Sequence, residues 1–389
     1  MRLVLHTNVL SPHQFPLATC LNKRIDGFRY VATEELSEDR RQLGWNIGED
    51  GDNWVLYLQR GAQAAYEARQ WLENSEIVLT SIRDFGLMER RVKSGKLTFY
   101  MSERWFKPPL GKMRLFHPRY FLMATRIARL MYSPWFYYLP MGRYAGDDMM
   151  WLMSLLGKGQ NVHDKQRLWG YFVDKDKSPE KVDVKLQDDA FRVLWFGRLL
   201  KLKCVDTLIH AVAKMCSQTS PPVKLKIIGA GPEEEALRAL AIKLNICHRV
   251  EFTPPVPIKR IRDEIRHADV CVVTSNGQEG WGVAVNEIML EGRCAIVSKE
   301  TGAGRTMIRD GENGLLFRSG DVDGLAQQLQ QVRMDAVLRK RLGAVGRETL
   351  LSVWMPEIAA ERLMVFSGAI LSRQGSPKWD SGPLSSIQA

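Results

Sequence analysis

Val270-Cys271-Val272-Val273-Thr274-Ser275-Asn276-Gly277-Gln278-Glu279-Gly280-Trp281-Gly282-Val283-Ala284-Val285-Asn286-Glu287 is the stretch on which the fold turns. Its continuous apolar start, Val270 to Thr274, suits a strand of a parallel sheet covered on both faces. A loop with Gly277, Gly280 and Gly282 follows, and then a helix from Val283 to Glu291. Glycines let a ligand approach the backbone closely. The free amides of the new helix, near Val283 and Ala284, suit a phosphate. Glu279 lies in the loop. Glu287 lies just over a turn into the helix, where a carboxylate can accept two hydrogen bonds from a ribose diol. The competing reading makes Glu279 a loop charge and Glu287 a solvated helix residue.

On both sides of this stretch the same alternation recurs. Arg192 to Phe196, Lys224 to Ile228, Val250 to Phe252, Cys294 to Ser298 and Gly314 to Phe317 read as strands. Helices are expected over Val205 to Met215, Glu233 to Leu244, Ile258 to His267, Asp323 to Leu342 and Glu357 to Leu371. Strands separated by helices argue for parallel crossover units and a doubly wound sheet. Such sheets bind ligands at the carboxyl ends of their strands. One strand end carries Phe196-Gly197-Arg198-Leu199-Leu200-Lys201-Leu202-Lys203. Gly197 followed by Arg198 and Lys203 can enclose a diphosphate, Arg as a planar fork and Lys as a point charge. Lys201 is an alternative to Lys203, and a solvated basic loop is the plainer reading.

The N-terminal half shows the same pattern, with strands expected at Leu3 to Thr7, Phe28 to Thr33, Trp54 to Leu58, Glu76 to Ser81, Lys96 to Met101 and Tyr137 to Pro140. Helices are expected over His13 to Asn22 and Ala62 to Asn74. Between the halves, Asp174 to Asp189 is charged, polar and aperiodic, as a linker is. The expected organisation is therefore a first domain over 1–173, a linker over 174–190, a second domain over 191–353, a C-terminal helix over 354–372, and a Ser-, Gly- and Pro-rich disordered tail over 373–389.

Glu279-x7-Glu287 resembles the paired-glutamate motif of the family-4 retaining glycosyltransferases, which have the two-domain GT-B fold. Gly197-Arg198-x4-Lys203 resembles that family's Gly-Arg-x4-Lys-Gly, with Cys204 where the family usually has Gly. Ile227-Ile228-Gly229-Ala230-Gly231-Pro232, Val250-Glu251-Phe252 followed by Pro254 to Pro257, Asp310-Gly311-x-Asn313-Gly314-Leu315-Leu316-Phe317 and Trp354-x-Pro356 are similar to further family segments. The likeness runs roughly over 191–365. It implies two Rossmann-like, doubly wound α/β domains facing each other across a cleft. It also implies that Glu279 sits beside the donor sugar and Glu287 on the ribose, and that the last helix returns to the first domain. The stereochemical outcome, retention, comes from the resemblance alone. The donor-binding set is then Gly197, Arg198, Lys203, Gly282, Val283, Ala284 and Glu287, and the catalytic set Glu279, Arg198 and Lys203.

On the acceptor side, His13 lies in the first strand–helix loop and Glu103 just after a strand. His13 contacts donor sugar or acceptor, or merely caps a helix. Glu103 is a base for the acceptor, or a structural partner of Arg104. Asp50-Gly51-Asp52, Asp174-Lys175-Asp176 and Asp321-Val322-Asp323 match the Asp-x-Asp of metal-dependent glycosyltransferases, but they fall in polar loops or the linker and the pattern recurs by chance. Arg198, Lys203 and a helix start can replace a divalent ion electrostatically. No metal and no cofactor beyond the donor substrate is expected.

Composition bounds the rest. Of 389 residues, 45% are hydrophobic and 25% charged, ordinary for globular domains. The six cysteines form no C-x-x-C pair, so buried free thiols in a reducing cytoplasm are expected. No apolar run is long enough to span a bilayer, and Met1 to Thr7 reads as a buried strand rather than a leader. Net charge is 55 − 44 = +11, which favours an anionic partner. Residues 85–145 hold twelve Lys or Arg against Glu89 and Glu103 alone, interleaved with Trp105, Phe106, Phe116, Tyr120, Phe121, Trp135 and Phe136. That mixture suits an anionic membrane surface, or a core helix over Tyr120 to Met131 with a solvated basic face. Nucleic acid is the weakest of the three fits.

The expectation is a cytoplasmic enzyme, peripheral on the inner face of the plasma membrane. It would move a sugar from a nucleoside diphosphate sugar to a cell-envelope or lipid-linked glycan. A sugar-nucleotide epimerase on the same fold and a non-catalytic nucleotide-sugar-binding protein are the alternatives.

Overall fold

The structure is a computed structural model, and it describes residues 1–37, 53–157, 159, 162–175, 189–216 and 222–387. The expected linker therefore lies largely outside the described residues, as does Asp50-Gly51-Asp52. The chain divides into two units, one of Met1–Phe172 with Val353–Ala389 and one of Val173–Ser352.

The first unit is built on a sheet of β1 (Arg2–Thr7), β2 (Gly27–Ala32), β3 (Val55–Tyr57), β4 (Ile77–Thr80), β5 (Leu97–Ser102) and β6 (Phe136–Pro140), in the order β3-β2-β1-β4-β5-β6. The second has β7 (Phe191–Phe196), β8 (Val223–Ile228), β9 (Val250–Thr253), β10 (Val270–Val273), β11 (Cys294–Ser298) and β12 (Leu315–Phe317), in the order β12-β11-β10-β7-β8-β9. Every pairing described is parallel. Each chain half starts at the middle of its sheet, runs outward one way, then returns to run outward the other way. The order reverses between β1 and β4 and between β7 and β10. In open α/β sheets ligands bind outside the carboxyl ends of the strands that flank such a reversal.

Apolar strands explain the cores. β4 and β10 are buried throughout, as strands under helices on both faces must be. Cys271 and Cys294 are buried free thiols on neighbouring strands, one residue out of register, with Cys294 opposite Val270 and Cys271 opposite Ala295, and burial pushes Cys294 up to about 12. The helix Pro356–Leu371 belongs to the first unit. It buries Ala359, Ala360, Leu363 and Phe366 against that unit's core and packs on the helix Phe15–Asn22.

Two expectations need correction. The tail is not disordered through 387. Leu384 and Ser385 are buried, and backbone bonds tie them to Leu168, with Leu384 N donating to Leu168 O (2.7 Å) and Leu168 N to Ser385 O (2.9 Å). Low-pattern composition hid two apolar anchors, Leu384 and Ile387. The single helix expected over Asp323 to Leu342 is two, Val322–Met334 and Ala336–Val353. Asp335 breaks it, because its carboxylate accepts from the amide of Leu338 (2.8 Å) and starts a new helix.

β1 also carries a buried polar residue. His6 lies between Thr80 Oγ1 (3.1 Å from Nδ1) and Thr33 Oγ1 (3.3 Å from Nε2). Burial lowers its pKa to about 4, with Asp84 pulling weakly the other way. The unfolded chain protonates near 6.5, so stability is full above that value and is lost as pH falls toward 4. The full shift is worth roughly 3 kcal/mol. Urea titrations at pH 7.5 and pH 4.5 are expected to show this loss in the first unit, and His6→Asn to remove the His6 share of it, leaving that of His13, which burial lowers likewise. An unchanged pH slope in that variant would assign the acid sensitivity elsewhere.

Candidate functional site

The reversal between β7 and β10 brings together the loops that leave those two strands. Beyond β7 the backbone stays laced to the loop after β8. Gly197 N donates to Ile228 O (2.9 Å), Leu199 N to Ala230 O (2.9 Å) and Glu233 N to Leu199 O (3.2 Å). The fit is so close that a Cβ on Gly229 would stand 1.8 Å from Gly197 O. No side chain larger than hydrogen is possible there. This lacing leaves the Arg198 side chain exposed at the strand end.

A 3-10 turn, Lys201–Lys203, follows and ends at Cys204 with φ 49°. The turn that the Gly-to-Cys change left open is thus formed, with an L-residue in the left-handed region, which costs roughly 1–2 kcal/mol. Its thiol makes long contacts, 3.6 Å to Lys201 O, 3.7 Å to Leu202 O and 3.9 Å from Ser319 Oγ. Cys204→Gly is expected to raise the second unit's stability by up to about 1 kcal/mol, since glycine's larger unfolded-state freedom offsets part of the relieved strain. A lower urea midpoint would mean the thiol contacts outweigh that strain.

The β10 loop clamps this turn. Thr274 Oγ1 donates to Lys203 O (2.5 Å) and receives Trp195 Nε1 (3.2 Å), and Asn276 N donates to Leu202 O (2.9 Å). The clamp puts the Lys203 ammonium on the Glu279 carboxylate as an ion pair, and Ser275 Oγ reaches the same oxygen at 3.3 Å. Both side chains keep about a fifth of their surface exposed, 23% for Lys203 and 18% for Glu279. Farther on, the buried Trp281 donates to Asn286 Oδ1 (2.8 Å), folding the glycine loop onto its own helix. Gly282, at φ +86°, makes the turn into Ala284–Leu290. The amides of Val285 and Asn286 bond back to Gly282 O and Val283 O, whereas among the described residues those of Val283 and Ala284 make no hydrogen bond.

Glu287 is not a solvated helix residue. It is buried, and Arg262 Nε donates to it at 2.8 Å. Arg262, 1% exposed, also donates through Nη1 to Asp174 O (2.7 Å) and stands 3.9 Å from Glu291, which Arg266 holds at 2.7 Å. Sequence reasoning missed Arg262. A signal was present: Arg262 and Arg266 share one helical face, Glu287 and Glu291 another, each pair four apart.

In the first unit, His13 and Glu103 lie beyond the carboxyl ends of β1 and β5 and meet through Tyr171. The His13 ring sits edge-on to Tyr171 (5.9 Å between centroids), and Tyr171 OH reaches Glu103 Oε1 at 3.5 Å. Burial lowers the His13 pKa to about 4, so its imidazole is neutral at pH 7. Glu103 pairs with Lys107 (2.6 Å), whereas Arg104 turns to Asp148 (3.5 Å). The proposed Glu103–Arg104 pair is therefore replaced, because the buried Asp148 also accepts from Phe106 N and draws Arg104 inward. Asp321 caps the helix Val322–Met334 and Asp323 pairs with Lys214, which accounts for both acids of that Asp-x-Asp. Among the described residues no cluster of three His, Cys, Asp or Glu has metal-binding geometry.

Residues 176–349 match the family described as Glycosyl transferases group 1, a span inside the second unit. Among curated proteins, the chain is 34% identical over 169 residues to the lipopolysaccharide core biosynthesis glycosyltransferase LpsE of Rhizobium meliloti, covering 43% of this chain and 47% of that protein. It is 34% identical over 196 residues to a D-inositol 3-phosphate glycosyltransferase of Thermomonospora curvata, covering 47% of this chain and 44% of that one. The chain thus spans about half the length of the curated relatives it matches. Among solved structures, Anabaena Alr3699/HepE in complex with UDP superposes with a TM-score of 0.69 at 14% identity, over 96% of this chain and 100% of that one. The fold is therefore α/β with two parallel six-stranded Rossmann-like sheets, as in GT-B glycosyltransferases.

Proposed function

We propose that this chain is a glycosyltransferase that takes a sugar from a nucleoside diphosphate sugar and passes it, with retention and without a metal, to a cell-envelope or lipid-linked glycan. The observation that carries the reading is the clamp at the β7–β10 reversal, which pairs Lys203 with Glu279 across two loops, the first also carrying Arg198 and the second leading to the Val283 and Ala284 amides. The family match of the second unit and the LpsE relative support it, and the Anabaena neighbour holds UDP on the same fold.

In this reading the diphosphate lies against Arg198 and Lys203, and Lys203 exchanges Glu279 for a phosphate oxygen when donor binds. Each charge-assisted hydrogen bond to the diphosphate is worth about 1.5–3 kcal/mol. As the bond from sugar to phosphate breaks, negative charge grows on the leaving diphosphate, where these cations and the two amides stabilise it. Glu279, released from Lys203, faces the cationic sugar carbon. Glu287, held by Arg262, accepts the ribose hydroxyls. His13, Tyr171 and Glu103 serve the acceptor, with His13 as a neutral hydrogen-bonding group.

A thermal-shift panel of nucleoside diphosphates and their sugars tests the donor site. One base is expected to stabilise the parent by several degrees, and Arg198→Ala and Glu287→Ala to lose the shift. If nothing binds, or both variants bind as the parent does, the β7–β10 strand ends are not the donor site.

A further inference from the structure

The basic, aromatic stretch 85–145 splits in two in the folded chain. Trp105, Phe106 and Phe136 are core residues, as are Ala124, Ile127, Ala128 and Leu130 of the helix Pro118–Leu130. By contrast Leu110, Met113, Phe116, Phe121 and Leu122 each expose more than half their surface, Phe116 as much as 87%. These five apolar side chains fall within thirteen residues, at the start of and along the 3-10 helix Gly111–Phe116 and near the start of the helix after it. The segment is built rather than loose. Arg114 Nη1 donates to Tyr120 OH (3.2 Å) and its guanidinium lies over the same ring, clipping the 3-10 helix to its neighbour. His117 caps the second helix through Arg119 N (3.2 Å).

Along this segment the charge has one sign. From Arg104 to Arg143 the chain contains no acid. On flanking elements Glu103 is engaged by Lys107, Glu89 by Arg126 and Asp148 by Arg104, and Asp147 stands exposed on the helix Arg143–Leu155. Lys112, Arg114 and Arg119 make no ion pair among the described residues. Large apolar side chains raised beside unpaired cations form the pattern of a segment that lies in a bilayer interface, apolar tips among acyl chains and cations at anionic headgroups. No described helix is long and apolar enough to cross a membrane, so lying on the surface is the mode that fits.

We propose that Leu110–Leu122 is a membrane-docking wedge that seats this chain on an anionic lipid surface, with Phe116 as its deepest point and Lys112 and Arg119 as its headgroup contacts. The inference stands apart from the donor site and does not depend on it.

The test uses the full chain with phosphatidylcholine vesicles, with and without phosphatidylglycerol. Binding is expected to anionic vesicles, and to fall with added salt. Met113→Ser/Phe116→Ser/Phe121→Ser and Lys112→Glu/Arg119→Glu are each expected to weaken it about tenfold or more. Separately, Phe116→Trp is expected to gain a blue-shifted emission that brominated lipids quench, a readout independent of whether the triple variant folds. No binding of the parent at low salt overturns the proposal, as does equal binding by both variants or an unquenched Trp at position 116 on bound protein. A parent that is dimeric in solution and made monomeric by the triple variant also overturns it, assigning the patch to a second copy.

Discussion

Glu279→Gln is expected to lower turnover about a hundredfold or more while leaving nucleoside diphosphate affinity unchanged or tighter. In the proposed reading the two effects separate, because Glu279 competes with the leaving diphosphate for Lys203 and faces the sugar. In the structure its carboxylate occupies the ammonium of Lys203, and Ser275 Oγ supports the same oxygen. An amide of the same shape cannot hold Lys203 as strongly, so the cation is freer to meet a phosphate, and a like charge beside the diphosphate is gone. In the same reading the sugar loses the carboxylate proposed to face its growing positive charge. Removing one such preorganised group costs on the order of 10²–10³ in rate. Calorimetric titration with the diphosphate, paired with kcat from diphosphate release, reads both effects. Lys203→Ala is the internal contrast, since it is expected to weaken diphosphate binding by roughly tenfold or more. If Glu279→Gln keeps turnover within about threefold of the parent, Glu279 does not face the reacting carbon.

Arg262→Ala is expected to destabilise the second unit by about 3–5 kcal/mol, the cost of leaving a buried carboxylate without its partner. Arg262 is 1% exposed, and its removal takes from Glu287 and the Asp174 carbonyl the one guanidinium that donates to both. Glu291 is protected by Arg266, so the penalty falls mainly on Glu287. The double variant Arg262→Met/Glu287→Gln is expected to recover most of the loss, because a buried pair replaced as a whole by neutral groups is often nearly neutral in stability. Calorimetry of the full chain, following the transition of the second unit, makes the comparison. A loss below about 1 kcal/mol in the single variant would show that water or another group reaches Glu287 when Arg262 goes.

Much of this was legible from the chain alone because it is local. The run Val270 to Val273 can only be a covered strand, and the end of β7, with its Gly197 and Arg198, follows the same logic. Gly229 and Gly282 signal, through their missing side chains, a close approach and a left-handed turn that neighbouring residues could not make. Where local signals were weak, reading failed. The Ser-, Gly- and Pro-rich tail gave no period, although Leu384 is fully buried. Asp335 inside a helical pattern did not announce itself as a cap. The aromatic stretch gave the right composition but no way to tell Phe106, which is core, from Phe116, which is surface.

The sequence by itself determined the alternating strands and helices, the crossover that doubles each sheet, the loops in which Arg198, Lys203 and Glu279 sit, and the helix that carries Glu287. All of these are set by patterns that repeat within a few residues, through side-chain period, glycine freedom and capping. Only the tertiary structure decided the partners. Lys203 and Glu279 stand 76 residues apart in the chain, and Arg262 and Glu287 stand 25 apart. Each pair meets because strand order and helix packing bring distant loops and faces together. A charge read from the sequence carries no record of which opposite charge the fold will set beside it.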